Sequence, residues 1–139
     1  MVSTPEQLIG LLRAHRILPT QQRLLIARAL LDSPRHVSAE HIMRQVNDGR
    51  DHVSKATVYN TLGLFARNGL IKEVIVDPTR IFYDPNTSHH HHFYNVDTGE
   101  LTDIDAEQLV LGDLPILPEG TTTAGVDVII RVQNAPAIS

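Results

Sequence analysis

Residues 54–69 read 'SKATVYNTLGLFARNG', a helix written with both of its ends. Ser54 is a residue type that caps helix N-termini, and Gly69 suits the left-handed position just past a C-terminus. Between them Val58, Leu62 and Phe65 fall at i, i+4 and i+7, which makes one face core. The other side is left with Lys55, Thr57, Tyr59, Asn60, Gly63 and Arg67. Hydroxyl, amide, phenol and basic groups gathered near a helix N-terminus are equipped for base edges and phosphates. A solvated face would look similar on one helix alone, so the neighbours decide.

Upstream, three more helices are predicted. The first, 'TPEQLIGLLRAHR', has Thr4 as N-cap, Pro5 at its first position and Leu8, Leu11 and Leu12 on one stripe. The second starts at Thr20 and carries Ile26, Ala27, Leu30 and Leu31; the third starts at Ser38, with Ile42, Met43 and Val46 apolar and Gly49 able to close it. Downstream, 'LIKEVIV' and 'RIFYD' are strand-like runs joined by 'DPT', a turn carrying Pro78. Helices followed by a small hairpin read as a winged helix-turn-helix, a fold whose dimers read two half-sites of an inverted repeat.

After Asp84 the stretch 'PNTS' reads as a hinge, dividing the chain into 1–84 and 85–139. The charge divides with it. Residues 1–84 hold 11 Lys and Arg against 8 Asp and Glu, a balance of +3, while residues 85–139 hold one Arg against 8 acids, a balance of −7. Phosphate suits the first part and cations the second. The second part alternates strand, turn and strand, then a short helical piece from about Asp105, a Pro/Gly-rich loop and a last strand in 'GVDVIIRV'. So short a segment buries little surface alone, and its apolar run calls for a second subunit. The expected fold class is α+β, an N-terminal winged helix-turn-helix followed by a small α/β dimerisation domain.

Within that second part stands 'SHHHHFYNVDTGELTDID', residues 88–105, with half of the chain's eight histidines. In a strand, alternate side chains share a face, so His90 and His92 point one way and His89 and His91 the other. Two histidines on one face begin a metal site without completing it. The absence of cysteine excludes disulfides, thiolate zinc sites and cysteine nucleophiles. No HExxH, GxSxG or Gly-rich phosphate loop occurs, so no enzymatic activity is expected. No apolar run approaches the ~20 residues of a membrane span and no export signal opens the chain, so the cytoplasm is the expected location.

'PTQQRLLIARAL', 'HVSAEHI', 'SKATVYNTLGLF', 'GLIKEV' and 'HHHHFYNVDTGEL', in this order and spacing, resemble the Fur (ferric uptake regulator) superfamily over roughly residues 5–133. Within it, 'YDPNTSHHHHFYNVDTGELTDI' is most similar to Irr, the iron response regulator. The resemblance implies a homodimer, or a tetramer built from it, that regulates transcription, mainly as a repressor of iron or haem genes at an AT-rich inverted repeat of double-stranded DNA. It implies DNA contacts from Lys55, Thr57, Tyr59, Asn60 and Arg67, with Arg23 from the second helix. Arg16 is left for any minor-groove contact, because Leu18 stands where many relatives are basic. It implies a sensory metal site of His36, Asp84, His90, His92 and Asp103 for Fe²⁺, Mn²⁺ or Zn²⁺, the carboxylates tilting the choice towards iron or manganese. His89, His91 and Glu107 are left for a weaker second metal site or for haem, which histidines can ligate.

Departures from the family pattern are also legible. Asn95 and Thr98 stand where many relatives place cysteines for structural zinc, so packing alone must hold a dimer. No late histidine completes the second metal site. The alternative expectation is a Fe²⁺-, Mn²⁺- or Zn²⁺-dependent repressor of metal-uptake or peroxide-response genes with no role for haem.

Overall fold

The computed structural model describes residues 4–33, 36–48, 52–88 and 90–137. The chain forms two compact units, 1–87 and 88–139, meeting inside the 'PNTS' stretch.

In the first unit, four helices each start on a side-chain cap. Thr4 precedes α1 (Pro5–Ala14), Thr20 precedes α2 (Gln21–Leu31), Ser38 precedes α3 (Ala39–Val46) and Ser54 precedes α4 (Lys55–Arg67). Each hydroxyl accepts a backbone N–H three residues on, satisfying a donor the helix cannot. Thr4 and Gln7 do this reciprocally, as a capping box. A three-stranded antiparallel sheet completes the unit, in the order β1 (Val37–Ser38), β3 (Arg80–Asp84), β2 (Lys72–Asp77). At the β2–β3 turn, the Asp77 carboxylate accepts from the Thr79 backbone N–H at 2.8 Å and its hydroxyl at 2.7 Å.

Leu12, Ile26, Leu30, Ile42, Val58, Leu62 and Phe65 are fully buried in one core. Burying each such side chain contributes about 1.5–3 kcal/mol. Leu8 and Leu12 of the α1 stripe are buried, whereas Leu11 and Leu31 are only partly so. Gly49 lies outside the described residues, and α3 ends on the C-cap Asn47.

In the second unit, β4 (His91–Asn95) lies between β5 (Leu101–Ile104), antiparallel, and β6 (Ile129–Val132), parallel. The β4–β5 hairpin turns on 'NVDTGE'. The Asn95 carboxamide oxygen accepts the N–H groups of Asp97 and Thr98 at 2.9 and 3.1 Å, and Gly99 takes the left-handed φ of 77°. Asn95 and Asp97 also reach the far end of the chain: the Asn95 amide donates to the Asn134 carboxamide oxygen at 2.9 Å, and Asp97 accepts the Asn134 N–H at 2.8 Å.

Two expectations for this unit are corrected. The helical piece from about Asp105 is a turn at 106–108, closed by Gln108 N–H donating to Asp105 carbonyl at 2.9 Å. Gly112, Pro115 and Pro118 follow too soon for further helical turns, and one turn is not stable alone. Of 'GVDVIIRV', only Ile129–Val132 is strand. The residues between carry exposed apolar side chains, including Val110, Leu114 and Ile116. Among the described residues, no helix is long and apolar enough to cross a membrane.

The α3–α4 connection rests on Asn47. Its amide donates to the Val53 carbonyl at 3.0 Å and its oxygen accepts the Val53 N–H at 2.7 Å, as a strand partner would. Asn47→Ala leaves both groups unpaired in a half-buried site and is expected to cost about 1–3 kcal/mol, read as a lower denaturation midpoint in urea.

Candidate metal centre and nucleic-acid interface

Each unit carries its own cluster of potential metal ligands. In the first, β1 pairs with β3, and His36, just before β1, faces Asp84, the last residue of β3. His36 Nε2 lies 3.9 Å from Asp84 Oδ2, and both side chains are almost wholly buried. Asp84 Oδ1 accepts the Asn86 N–H at 2.9 Å, which orients the carboxylate.

In the second unit, the β4–β5 register sets His92 directly opposite Asp103. His90 sits two residues earlier, on the same side of the chain. His90 Nε2 and His92 Nε2 each lie 3.3 Å from the one oxygen Asp103 Oδ1, with the two rings 4.5 Å apart between centroids. The His90 Nδ1 lies 2.7 Å from the Ser88 carbonyl. A carbonyl only accepts, so Nδ1 carries a proton, which leaves Nε2 as the ring nitrogen on the Asp103 side. Backbone-held imidazoles of this kind are what metal sites use. Two imidazole nitrogens converging on one carboxylate oxygen form a donor set that a divalent cation fits.

The rest of the histidine run is placed differently. His89 lies outside the described residues. His91 is buried, and its Nδ1 accepts the Val128 N–H at 3.0 Å just before β6. Its neutral form therefore carries the proton on Nε2 and offers no lone pair there. Glu107 is exposed in the turn after β5 and, among the described residues, joins no group of three potential ligands. The structure thus does not assemble His91 and Glu107 into a second site.

On the first unit, Lys55, Asn60 and Arg67 are exposed on α4, and Thr57 and Tyr59 are half-buried. Thr57 is partly committed to the helix start, its hydroxyl receiving a hydrogen bond from Ser54 at 2.9 Å. Arg23 donates to the Leu18 carbonyl at 2.9 Å and so steadies the loop before α2. Arg16, in the same connection, is exposed and has a φ of 60°.

Sequence reasoning missed Glu40 on α3. The Tyr59 hydroxyl donates to its carboxylate at 2.8 Å, while the Lys55 ammonium stands 5.8 Å from the Tyr59 ring centre. A tyrosine on one helix and an acid on another, 19 positions apart, leave no periodic signal in sequence.

Four capped helices with a wing, followed by a small sheet that gathers imidazoles around a carboxylate, are the parts of a metal-responsive transcription regulator. The chain belongs to the Ferric uptake regulator family, whose description it matches over residues 16–123. It is 33% identical over 104 residues to the peroxide-responsive repressor PerR of Staphylococcus aureus, covering 75% of this chain and 70% of that protein. The ferric uptake regulator of Pseudomonas aeruginosa with manganese superposes with a TM-score of 0.68 at 24% identity, over 91% of this chain and 97% of that one. A zinc-bound manganese uptake regulator gives 0.63 at 24% identity, over 92% and 98%. The α+β fold, a helical DNA-binding unit before a small second unit, is that of the family.

The Glu40–Tyr59 bond has a titration signature. Glu40 as acceptor raises the Tyr59 phenol above its ordinary 10.0, since losing the proton would set two negative charges together. The same bond lowers the Glu40 carboxyl below 4.5. The pair therefore stabilises fully between those two ordinary values, lost on the acid side through Glu40 and on the alkaline side through Tyr59. In Glu40→Ala the Tyr59 phenolate absorbance is expected to rise at lower pH than in wild type, checked by difference titration.

Proposed function

We propose that this protein is a repressor that binds double-stranded DNA as a homodimer when loaded with a divalent metal, Fe²⁺ or Mn²⁺ before Zn²⁺, and controls metal-uptake or peroxide-response genes. The observation that carries the reading is the convergence of His90 and His92 on Asp103, with the His90 tautomer set by the Ser88 carbonyl. His36 and Asp84 of the first unit are the further ligands, giving five nitrogen and oxygen donors and no sulfur. Such a set favours iron or manganese over zinc.

The DNA face is α4. Lys55, Thr57, Tyr59, Asn60 and Arg67 stand on it, Arg23 supports it from α2, and Glu40 holds Tyr59 with its hydroxyl already donating. Tyr59 then offers its ring to apolar base edges rather than a hydroxyl to acceptors. The dimer is proposed from the second unit. Ile130 and Val132 on the edge strand β6 are 38% and 36% exposed, and the preceding loop exposes Val110, Leu114 and Ile116. A surface this apolar suits a second copy of the chain. Haem has less support than the divalent ion, because His90 and His92 turn to Asp103 and the His91 Nδ1 to Val128.

The test is binding of Mn²⁺ to metal-free protein by calorimetry, with anisotropy of a labelled AT-rich inverted-repeat duplex followed in parallel. Wild type is expected to bind about one ion per subunit and to gain DNA affinity of at least tenfold. Asp103→Ala and His36→Ala, altering one unit each, are expected to weaken both. DNA binding that ignores both the metal and these variants would sink the reading.

A further inference from the structure

Arg16 occupies a backbone conformation that its side chain disfavours. Helix α1 ends on His15, after which the Arg16 N–H donates to the Arg13 carbonyl at 3.0 Å and the Ile17 N–H to the Leu12 carbonyl at 2.9 Å. This pair of bonds is the Schellman closure, and its left-handed residue is ordinarily glycine. Here it is Arg16, with φ 60°, the one non-glycine residue at positive φ among the described residues. Elsewhere among them positive φ falls to Gly69, Gly99 and Gly120. A residue with a Cβ is held in this region at a cost to stability, and such positions cluster at functional sites.

The surroundings say what the guanidinium is kept for. Arg16 lines a cleft of about 360 Å³ together with Ala14, His15, Arg67 and Asn68, between the C-terminal ends of α1 and α4. Among the described residues, no acidic side chain lines it. Helix C-termini attract cations, so two arginines there could serve only to neutralise carbonyls. Several of those carbonyls are already served: the Schellman bonds take Leu12 and Arg13, the Gly69 and Leu70 N–H groups take Ala66 and Phe65, and the Asn68 amide donates to the His15 carbonyl at 2.8 Å and lies 3.5 Å from that of Arg16. Asn68 also pins the strained connection to the end of the DNA-reading helix. The cleft is therefore lined by two arginines and by His15, whose Nδ1 already lies 3.0 Å from the Leu11 carbonyl.

We infer that the cleft between α1 and α4 is a phosphate-binding notch, in which Arg16 and Arg67 together grip one phosphate group. Guanidinium is suited to this by its planar fork of donors. On the regulatory reading proposed above, the phosphate belongs to the DNA backbone beside the stretch that α4 enters. The inference rests on that reading for the source of the phosphate and not for the notch itself. Arg16 thus exchanges backbone stability for a charge that glycine could not supply.

The test uses full-length protein loaded with Mn²⁺ and the variants Arg16→Gly, Arg16→Lys, Arg67→Gln and Arg13→Gln. Arg16→Gly relieves the backbone, so it is expected to fold and to melt roughly 3 °C higher than wild type. Affinity for a labelled AT-rich duplex, measured across a salt series, is expected to lose about 0.9 from the slope of log K against log salt in Arg16→Gly and in Arg67→Gln. Arg16→Lys, with charge and strain kept, retains the slope. Arg13→Gln, removing a charge from the neighbouring exposed turn, also retains it; an equal loss there would mean that net charge alone is read and would overturn the notch.

Melting in inorganic phosphate distinguishes the source. Stabilisation of wild type that Arg16→Gly lacks, with unchanged DNA slopes, assigns the notch to a free phosphate. Unchanged slopes and no effect of phosphate overturn it. If wild type binds no duplex at all, the regulatory reading falls, and the phosphate melt alone decides the notch.

Discussion

Complete burial of Val58, Leu62 and Phe65 fixes the rotation of α4 about its own axis. A helix that loses freedom to roll has its outer residues chosen for it, since i, i+4 and i+7 in the core leave the remaining positions at set angles. The cross-helix bonds then refine what the core has set. Asn47 closes the α3–α4 connection on Val53, Glu40 steadies Tyr59 from α3, and Asn68 ties the end of α4 to the end of α1. All three side chains act at helix ends or on helix flanks, where a small change of angle would be amplified along α4. Rigidity of the outer face of α4 therefore comes from one apolar contact and three polar restraints around it.

Local rules were legible in the sequence and distant ones were not. Thr4, Thr20, Ser38 and Ser54 could be read as caps because a cap involves only the next three residues. The wing could be read because alternation and a Pro-bearing turn lie within 13 residues of each other. The common side of His90 and His92 follows from the period of a strand, and the register of a tight hairpin brings Asp103 opposite. Other features depend on partners far along the chain. Val128 approaching His91 spans 37 positions, and Asn68 reaching His15 spans 53. The lost helix after Asp105 is a competition that propensity alone misjudges: the acidic start is favourable, but glycine and two prolines close by leave nothing to propagate into.

The second unit puts its histidines to two uses. His90 and His92 turn their Nε2 atoms to a carboxylate, while the intervening His91 uses a ring nitrogen to hold the backbone of a neighbouring strand. One run of identical residues thus supplies both the candidate ligand cluster and a piece of the sheet that supports it. Strand alternation enforces the division, because neighbours along β4 cannot face the same way. His91 would disturb the sheet if replaced, and the two beside it would disturb the donor set.

The Asn95 turn has a consequence of its own. The hairpin and the segment just past β6 are fastened together by carboxamide and carboxylate groups, with Asn95 and Asp97 clasping Asn134. Amide clasps neither oxidise nor dissociate in a chelator, unlike thiolates gathered on a metal. This fastening is thereby uncoupled from zinc supply and from the redox state of its surroundings. Zinc starvation or a burst of oxidant would leave this fastening in place.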